Sequence, residues 1–186
     1  MPRKSDARAR MVRSAAVLLR EHGAAGTSID RVLAHSGAPR GSVYHHFPGG
    51  RAQLIDEAVA LAGDFVAGLI DAAAKDGDPA AAIGKFCELW RTWLVDSDFR
   101  AGCPIVAVTV ENSSALAAGV FRQWTDGLAA SFAGRGLSDA RARRLATFVI
   151  AAVEGAVIMC RAGRSLAPLE AAVEEIHELL AHALRP

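Results

Sequence analysis

Residues 36–50 read SGAPRGSVYHHFPGG, and their centre sets Arg40, Ser42, Tyr44, His45 and His46 within one short stretch. These side chains admit three chemistries: metal ligation, acid–base catalysis by an imidazole, or recognition of another molecule. Adjacent histidines on a helix project about 100° apart, so one ion does not readily take both. No acidic residue or cysteine stands close enough in sequence to complete a ligand set, so no metal is expected. No nucleophile with a third partner accompanies the imidazoles, so no catalytic residue is assigned and the chain is not read as an enzyme. Recognition is the remaining chemistry. A guanidinium at Arg40 forks onto guanine, the Ser42 hydroxyl bonds a base or a phosphate, and Gly41 permits close approach. Tyr44 and His45 suit phosphates.

Side chains of this kind need a scaffold that presents them, and the flanking sequence reads as helix. SDARARMVRSAAVLLREHG runs from a Ser5 cap to a Gly23 stop, with Met11, Ala15, Leu18 and Leu19 on one stripe. SIDRVLAH is a short helix capped by Thr27 or Ser28. Pro39 can open the next helix, which must close near His46 before Phe47-Pro48-Gly49-Gly50. Two short helices across a three-residue turn, following a longer one, make a helix-turn-helix. Its second helix enters the DNA major groove with its first turn nearest the bases. Val43 and Phe47 are four apart, on the side expected to pack inward.

From Gly50 a long helix follows, with Leu54, Ala58, Leu61, Phe65 and Leu69 on its expected apolar face. Breaks at 75–79, 96–104 and 134–138 separate further helices. Ser138 caps a long apolar helix, and an amphipathic helix spans about 166–184. No convincing period-2 run or hairpin signal interrupts this pattern. The expected fold is all-α, about nine helices. A helix-turn-helix domain over 1–49 precedes a helical domain over 50–186.

Charge divides the same way. Residues 1–51 carry nine Lys/Arg against three Asp/Glu, and residues 52–186 carry twelve against seventeen, within a whole-chain charge of only +1. A basic front and an acidic back point to a nucleic-acid-facing module joined to something else. Hydrophobic residues make up 52% of the 186, and mean hydropathy is +0.21. Yet no charge-free run approaches the roughly 18–20 residues of a membrane helix. No signal-peptide core follows the basic start, so a cytoplasmic protein without a membrane role is expected. Cys87, Cys103 and Cys160 are far apart in apolar surroundings and read as buried small hydrophobes rather than a disulfide or zinc framework.

The stretch TSIDRVLAHSGAPRGSVYHHFPGGRAQLIDEAV (27–59) resembles the DNA-binding signature of the TetR family of repressors. The matching pieces are Thr27-Ser28-Ile29, Ser36-Gly37, Gly41-Ser42, Tyr44-His45-His46-Phe47 and Leu54. Two departures stand out. Pro39 replaces a common serine or threonine, and the turn after Phe47 is one residue longer, with Arg51 in the place of a usual lysine. Those features, and RAGCPIVAVTVE (100–111), are similar to the LmrA/YxaF-like subgroup.

The resemblance implies a homodimer on a double-stranded, palindromic operator, released by a small, mostly apolar or aromatic effector, with no cofactor. It implies DNA contacts among Thr27, Ser28, Pro39, Arg40, Gly41, Ser42, Tyr44, His45 and Arg51. The basic arm (Arg3, Lys4 and Arg8) is either a further DNA contact or a solvated tail. The effector cavity is sought among Phe86, Trp90, Trp93, Leu94, Cys103, Val108, Phe121 and Trp124. Glu111, Asn112 and Glu154 are its candidate polar anchors, although Glu154 reads equally as an ion-pair or interface residue. The last two helices are implied to form the dimer interface, through Phe148, Ala152, Gly155, Met159, Val173, Ile176 and Leu180. Two other readings stay open on sequence: an activator of the same fold, or a helical ligand-binding or enzymatic domain with an incidental basic end.

Overall fold

The computed structural model describes residues 4–111 and 114–184, with the side chains of Lys4, Ser5, Asp76 and Glu111 outside the description. Among the described residues there are nine α-helices and no strand: α1 (Lys4–His22), α2 (Ile29–Ser36), α3 (Val43–His46), α4 (Gly50–Asp76), α5 (Pro79–Asp96), α6 (Pro104–Glu111), α7 (Ala115–Ala133), α8 (Asp139–Gly163) and α9 (Ala167–Ala183). Local chemistry sets their ends. Ser28 caps α2 by accepting from the Arg31 amide, and Asp78 caps α5 by accepting from the Ala81 amide. Gly37 ends α2 with a left-handed backbone, φ 64°, and its amide closes onto the Leu33 carbonyl. Ser5, read as the cap of α1, lies inside that helix, which is described from Lys4, and its side chain is outside the description.

The chain packs as two compact units. The first comprises Met1–Asp64 and Cys103–Val120; the second comprises Phe65–Gly102 and Phe121–Pro186. This packing division does not coincide with the 49/50 division read from sequence. It falls inside α4, and α6 packs with α1 in the first unit.

In the first unit Met11, Leu19, Val32, Val43, Phe47, Leu54, Ala58 and Ile105 form a core with essentially no solvent contact. Burial of one such large apolar side chain stabilises by roughly 1.5–3 kcal/mol. The inward placement expected for Val43 and Phe47 is what the structure has. The face expected along α4 holds only as far as Ala58, because Leu61, Phe65 and Leu69 are 41, 48 and 36% exposed. Instead the buried positions advance through Val59, Gly63 and Ala67. Gly63 is the cause within this unit: a Cβ there would lie 2.8 Å from the Val120 side chain. The close approach follows the smallest residue rather than the largest ones.

The second unit packs α5, α8 and α9 against one another. Ile83, Cys87, Trp90, Leu94, Phe132, Leu145, Val153, Val157, Ile176 and Leu180 are buried there. Trp90 meets Phe86 and Trp93 edge-to-face at centroid distances of 6.2 and 5.2 Å. One described helix, α8, is long and apolar enough to cross a membrane by length and composition. One side of it is occupied by α9 and α5. All three cysteines are buried and unbridged.

Candidate functional site

The expected short helix after the turn is built in two parts. Pro39 is extended (φ −64°, ψ 138°) and stands outside the helix, not in its first turn. Arg40–Ser42 then form one turn of 3-10 helix, and α3 adds a single α-turn. Ser42 explains the tightening. Both its amide (3.0 Å) and its hydroxyl (2.6 Å) donate to the Pro39 carbonyl, closing an i to i+3 ring. The Phe47 amide closes α3 on the Val43 carbonyl at 2.7 Å, and Gly50, at φ 65°, turns the chain into α4.

Burial of Val43 and Phe47 leaves the opposite side in solvent. The Arg40 side chain is 87% exposed, and its only described ionic neighbour is Asp30, 3.9 Å away. Tyr44 is 69% exposed, and Ser28, Gly41 and His45 are exposed too. A Cβ on Gly41 would meet nothing within 4 Å, so packing within the protein does not require glycine there. His46 is half-buried with its ring 6.4 Å from that of Phe47. Among the described residues, no group of three or more His, Cys, Asp or Glu is arranged to hold a metal.

Two residues sought at the DNA contact have other work. Thr27 is 1% exposed, and its hydroxyl donates to the Gly23 carbonyl at 2.8 Å. The Thr27 hydroxyl is thus buried and satisfied within the turn before α2. Arg51 donates from Nε to the Thr27 carbonyl at 2.9 Å and from Nη2 to the Ala24 carbonyl. It ties the start of α4 to the turn before α2. Arg8, from the basic arm, pairs with Glu57 at 2.7 Å and lies over the Phe47 ring at 5.2 Å. Arg3 and the Lys4 side chain lie outside the described residues.

The second unit encloses a cavity of about 60 Å³. Its walls come from α4 (Val66, Leu69, Ile70, Ala73), α5 (Ala82, Ile83, Phe86), α7 (Trp124, Leu128) and α8 (Val149, Ile150, Val153, Glu154). Of the residues sought there, Phe86, Trp124 and Glu154 are brought together. Trp90 and Leu94 are core, Trp93 packs against Phe65 at 6.0 Å, and Phe121 stacks edge-on against Trp124 at 5.5 Å, all without forming the wall. Cys103 and Val108 belong to the first unit. Asn112 and the Glu111 side chain lie outside the described residues. The aliphatic wall from α4 and α8 was missed because aromatic residues drew the sequence reading. The i, i+3, i+4 run Val66, Leu69, Ile70, Ala73 was the available signal. A second cleft, about 300 Å³, lies between α5 and α9. It is larger but rimmed by charge, with Arg91 and Glu170 paired across it at 2.7 Å.

The outer side of α8 carries Phe148, Ile158 and Met159 at 49, 50 and 61% exposure. Ala152 and Gly155 lie on the same stripe and are half-buried; a Cβ on Gly155 would meet nothing within 4 Å. The α9 residues sought on that surface are placed differently. Ile176 and Leu180 are buried inside the protomer, and Val173 lines the α5–α9 cleft. The reason is the amphipathic stripe itself, which α9 spends on α8 and α5.

The sequence matches two family models. Residues 12–58 match the bacterial regulatory proteins of the tetR family, and residues 79–175 match the LmrA/YxaF-like transcriptional regulator C-terminal domain. An HTH-type transcriptional regulator of Mycobacterium tuberculosis is 44% identical, the match covering 93% of each chain. The HTH-type transcriptional regulator LmrA of Bacillus subtilis is 28% identical over 88% of this chain and 91% of its own. In fold the protein is similar to the crystal structure of a TetR regulatory protein from Rhodobacter sphaeroides, with a TM-score of 0.80 at 24% identity over 92% of this chain and 97% of that one. An exposed recognition turn on a buried three-helix base, the all-α fold and these matches together place the chain in the TetR family of DNA-binding transcriptional regulators, with a C-terminal domain of the LmrA/YxaF-like type.

Proposed function

We propose that the protein is a ligand-responsive repressor that binds a palindromic operator as a homodimer, in the cytoplasm, and leaves it when a small effector fills the second-unit cavity. Residues 1–49 act as the DNA-binding part and 50–186 as the effector and dimerisation part. Arg40 reads a base, Ser42 and Gly41 allow the turn to approach, and Ser28, Pro39, Tyr44 and His45 line the phosphate track. The outer stripe of α8, with Phe148, Ala152, Gly155 and Met159, pairs two protomers. Two-fold symmetry then sets two recognition turns about one DNA turn apart, roughly 34–36 Å.

One observation carries the coupling. Helix α4 supplies Leu54, Ile55 and Ala58 to the core beneath the recognition turn and Val66, Leu69, Ile70 and Ala73 to the cavity wall. The cavity, at about 60 Å³, is far below the roughly 300–1,000 Å³ of an occupied ligand pocket. An effector must therefore widen it, and widening displaces the α4 wall. A ligand that binds the widened state better shifts the population toward it. Fluorescence anisotropy with the DNA upstream of the protein's own gene tests the reading. Nanomolar binding that a cavity ligand weakens supports it. A ligand that binds tightly while operator affinity stays constant defeats it.

A further inference from the structure

Asp30 stands at the start of α2 and Arg40 follows the turn that ends it, yet the Asp30 Oδ1 lies 3.9 Å from the Arg40 Nη2. Both side chains stand in solvent, 79 and 87% exposed. An exposed pair at that distance contributes little to stability. In the first turn of α2 an acid also suits the helix dipole. That role accounts for a carboxylate at position 30 but is indifferent to Arg40. Against DNA the same charge is unfavourable, since it repels phosphates whatever the sequence. Residues 1–51 hold three acidic residues against nine Lys/Arg, so an acid beside the recognition turn runs against the local trend. One of the other two, Asp6, pairs with Arg10 on its own helix at 2.6 Å. Arg31, next to Asp30 in the chain, is turned instead to the Gly26 carbonyl at 2.9 Å. Among the described residues, the cation that Asp30 pairs with is Arg40.

A long arginine side chain on a recognition turn has two kinds of target, a phosphate oxygen and the O6 and N7 of guanine. Its guanidinium carries five N–H donors, so Nη2 can serve the carboxylate while the others meet the base. A swing out to a phosphate withdraws the guanidinium from Asp30 and leaves the carboxylate unpaired beside the DNA backbone. The two bound states thus differ by the Asp30 contact, and that difference favours the base. We propose that Asp30 is a specificity residue of the DNA site, which positions Arg40 on guanine and keeps it off the phosphates. Asp30 touches no base itself. The proposal rests on the assignment of Arg40 as a base reader above and adds a residue from α2 that sharpens the reading.

The test uses the full-length protein. Wild type first selects a site from a pool of random duplexes, and the base pairs of that site are then replaced one at a time. Anisotropy measures each duplex, beside a random-sequence duplex, for wild type, Arg40→Ala, Asp30→Asn and Asp30→Ser. Arg40→Ala marks the position that Arg40 reads by abolishing its guanine preference. At that position the preference is expected to fall about fivefold or more in both Asp30 variants, within the range of one bidentate contact. Binding to random duplex is expected to tighten, with a salt slope steeper by about one phosphate contact. An acid that served only the helix dipole would change the melting temperature without changing the preference at one base pair. An unchanged preference in both Asp30 variants overturns the proposal and leaves Arg40 as a base reader. Failure of wild type to select a site, or equal losses on every duplex for Arg40→Ala, overturns the Arg40 assignment and this inference with it. Added to Arg40→Ala, Asp30→Asn is expected to leave the remaining base preferences as they are; a further loss means direct contact with a base and overturns the positioning role. Two uncharged replacements, each with its melting temperature, keep a folding defect in one from deciding the outcome.

Discussion

Arg51 donates to the carbonyl oxygen of Thr27 at 2.9 Å, and its second bond runs to the carbonyl of Ala24. One guanidinium thus closes the turn that leads into α2, while the Thr27 hydroxyl ties the same turn back to Gly23. A lysine cannot reproduce this fork, because its ammonium is a single point of donation. Arg51→Lys is therefore expected to lower stability by about 1–2 kcal/mol, and Arg51→Ala by about 1–3 kcal/mol. Urea midpoints measure this. A lysine variant with wild-type stability and reduced DNA affinity would restore Arg51 to the phosphate track.

Arg40 has the opposite character. Its side chain is 87% exposed and its only ionic neighbour among the described residues is Asp30, at 3.9 Å, a contact worth little to folding. Arg40→Ala is expected to weaken operator binding by about 1–3 kcal/mol, the worth of one bidentate base contact, with the melting temperature unchanged. Asp30→Asn removes a negative charge from the same neighbourhood and is expected to tighten binding to random-sequence duplex. Anisotropy at two salt concentrations checks both. Equal losses on operator and random DNA for Arg40→Ala would reassign it to a phosphate.

The α8 and α9 residues sought at the interface separate into two classes. Ile176 has no exposed surface, so Ile176→Ala is expected to cost about 2–5 kcal/mol of protomer stability. Met159 is 61% exposed, so Met159→Asp is expected to leave the fold intact and shift the protein from dimer to monomer. Analytical ultracentrifugation beside thermal melting distinguishes the two outcomes. A Met159→Asp protein that sediments as the wild type does would place the interface elsewhere.

Burial, with a smaller push from the Glu88 charge, raises the Cys87 thiol to about 11. An unfolded thiol ionises near its ordinary value of about 8.5. Between those values the unfolded chain binds fewer protons than the folded one, so stability falls as pH rises through that window. Below about pH 8 the contribution is fully present. Cys87→Ala is expected to flatten the decline in urea midpoint between pH 8 and 10.5. Iodoacetamide should label Cys87 in urea but not in the native protein at pH 8. An equally steep decline in the variant would assign the alkaline loss to other groups.

The helical periodicity, the breaks at 75–79, 96–104 and 134–138, and the string around Arg40 were enough to read an all-α chain with a helix-turn-helix. Those signals are local: a cap, a left-handed glycine or a three-residue turn acts within a few residues of itself. The exposure of Arg40, Tyr44 and His45 was legible for the same reason, since Val43 and Phe47 fix which side of one turn faces inward. Partners distant in the chain were not legible. Thr27 and Arg51 are 24 positions apart, and only folding shows the Arg51 guanidinium bonded to the Thr27 carbonyl. Gly63 and Val120 redirect the buried face of α4 by close approach, which a hydrophobic stripe does not encode. The cavity gathers residues from four helices, so the conspicuous aromatics Trp90 and Trp93 became packing while Ile70, Val149 and Glu154 became its wall. Sequence alone determined the elements and their outward chemistry, because backbone propensity and capping act locally. Tertiary structure decided which of those side chains were already engaged, because close packing allots each buried donor and each apolar face to a specific neighbour.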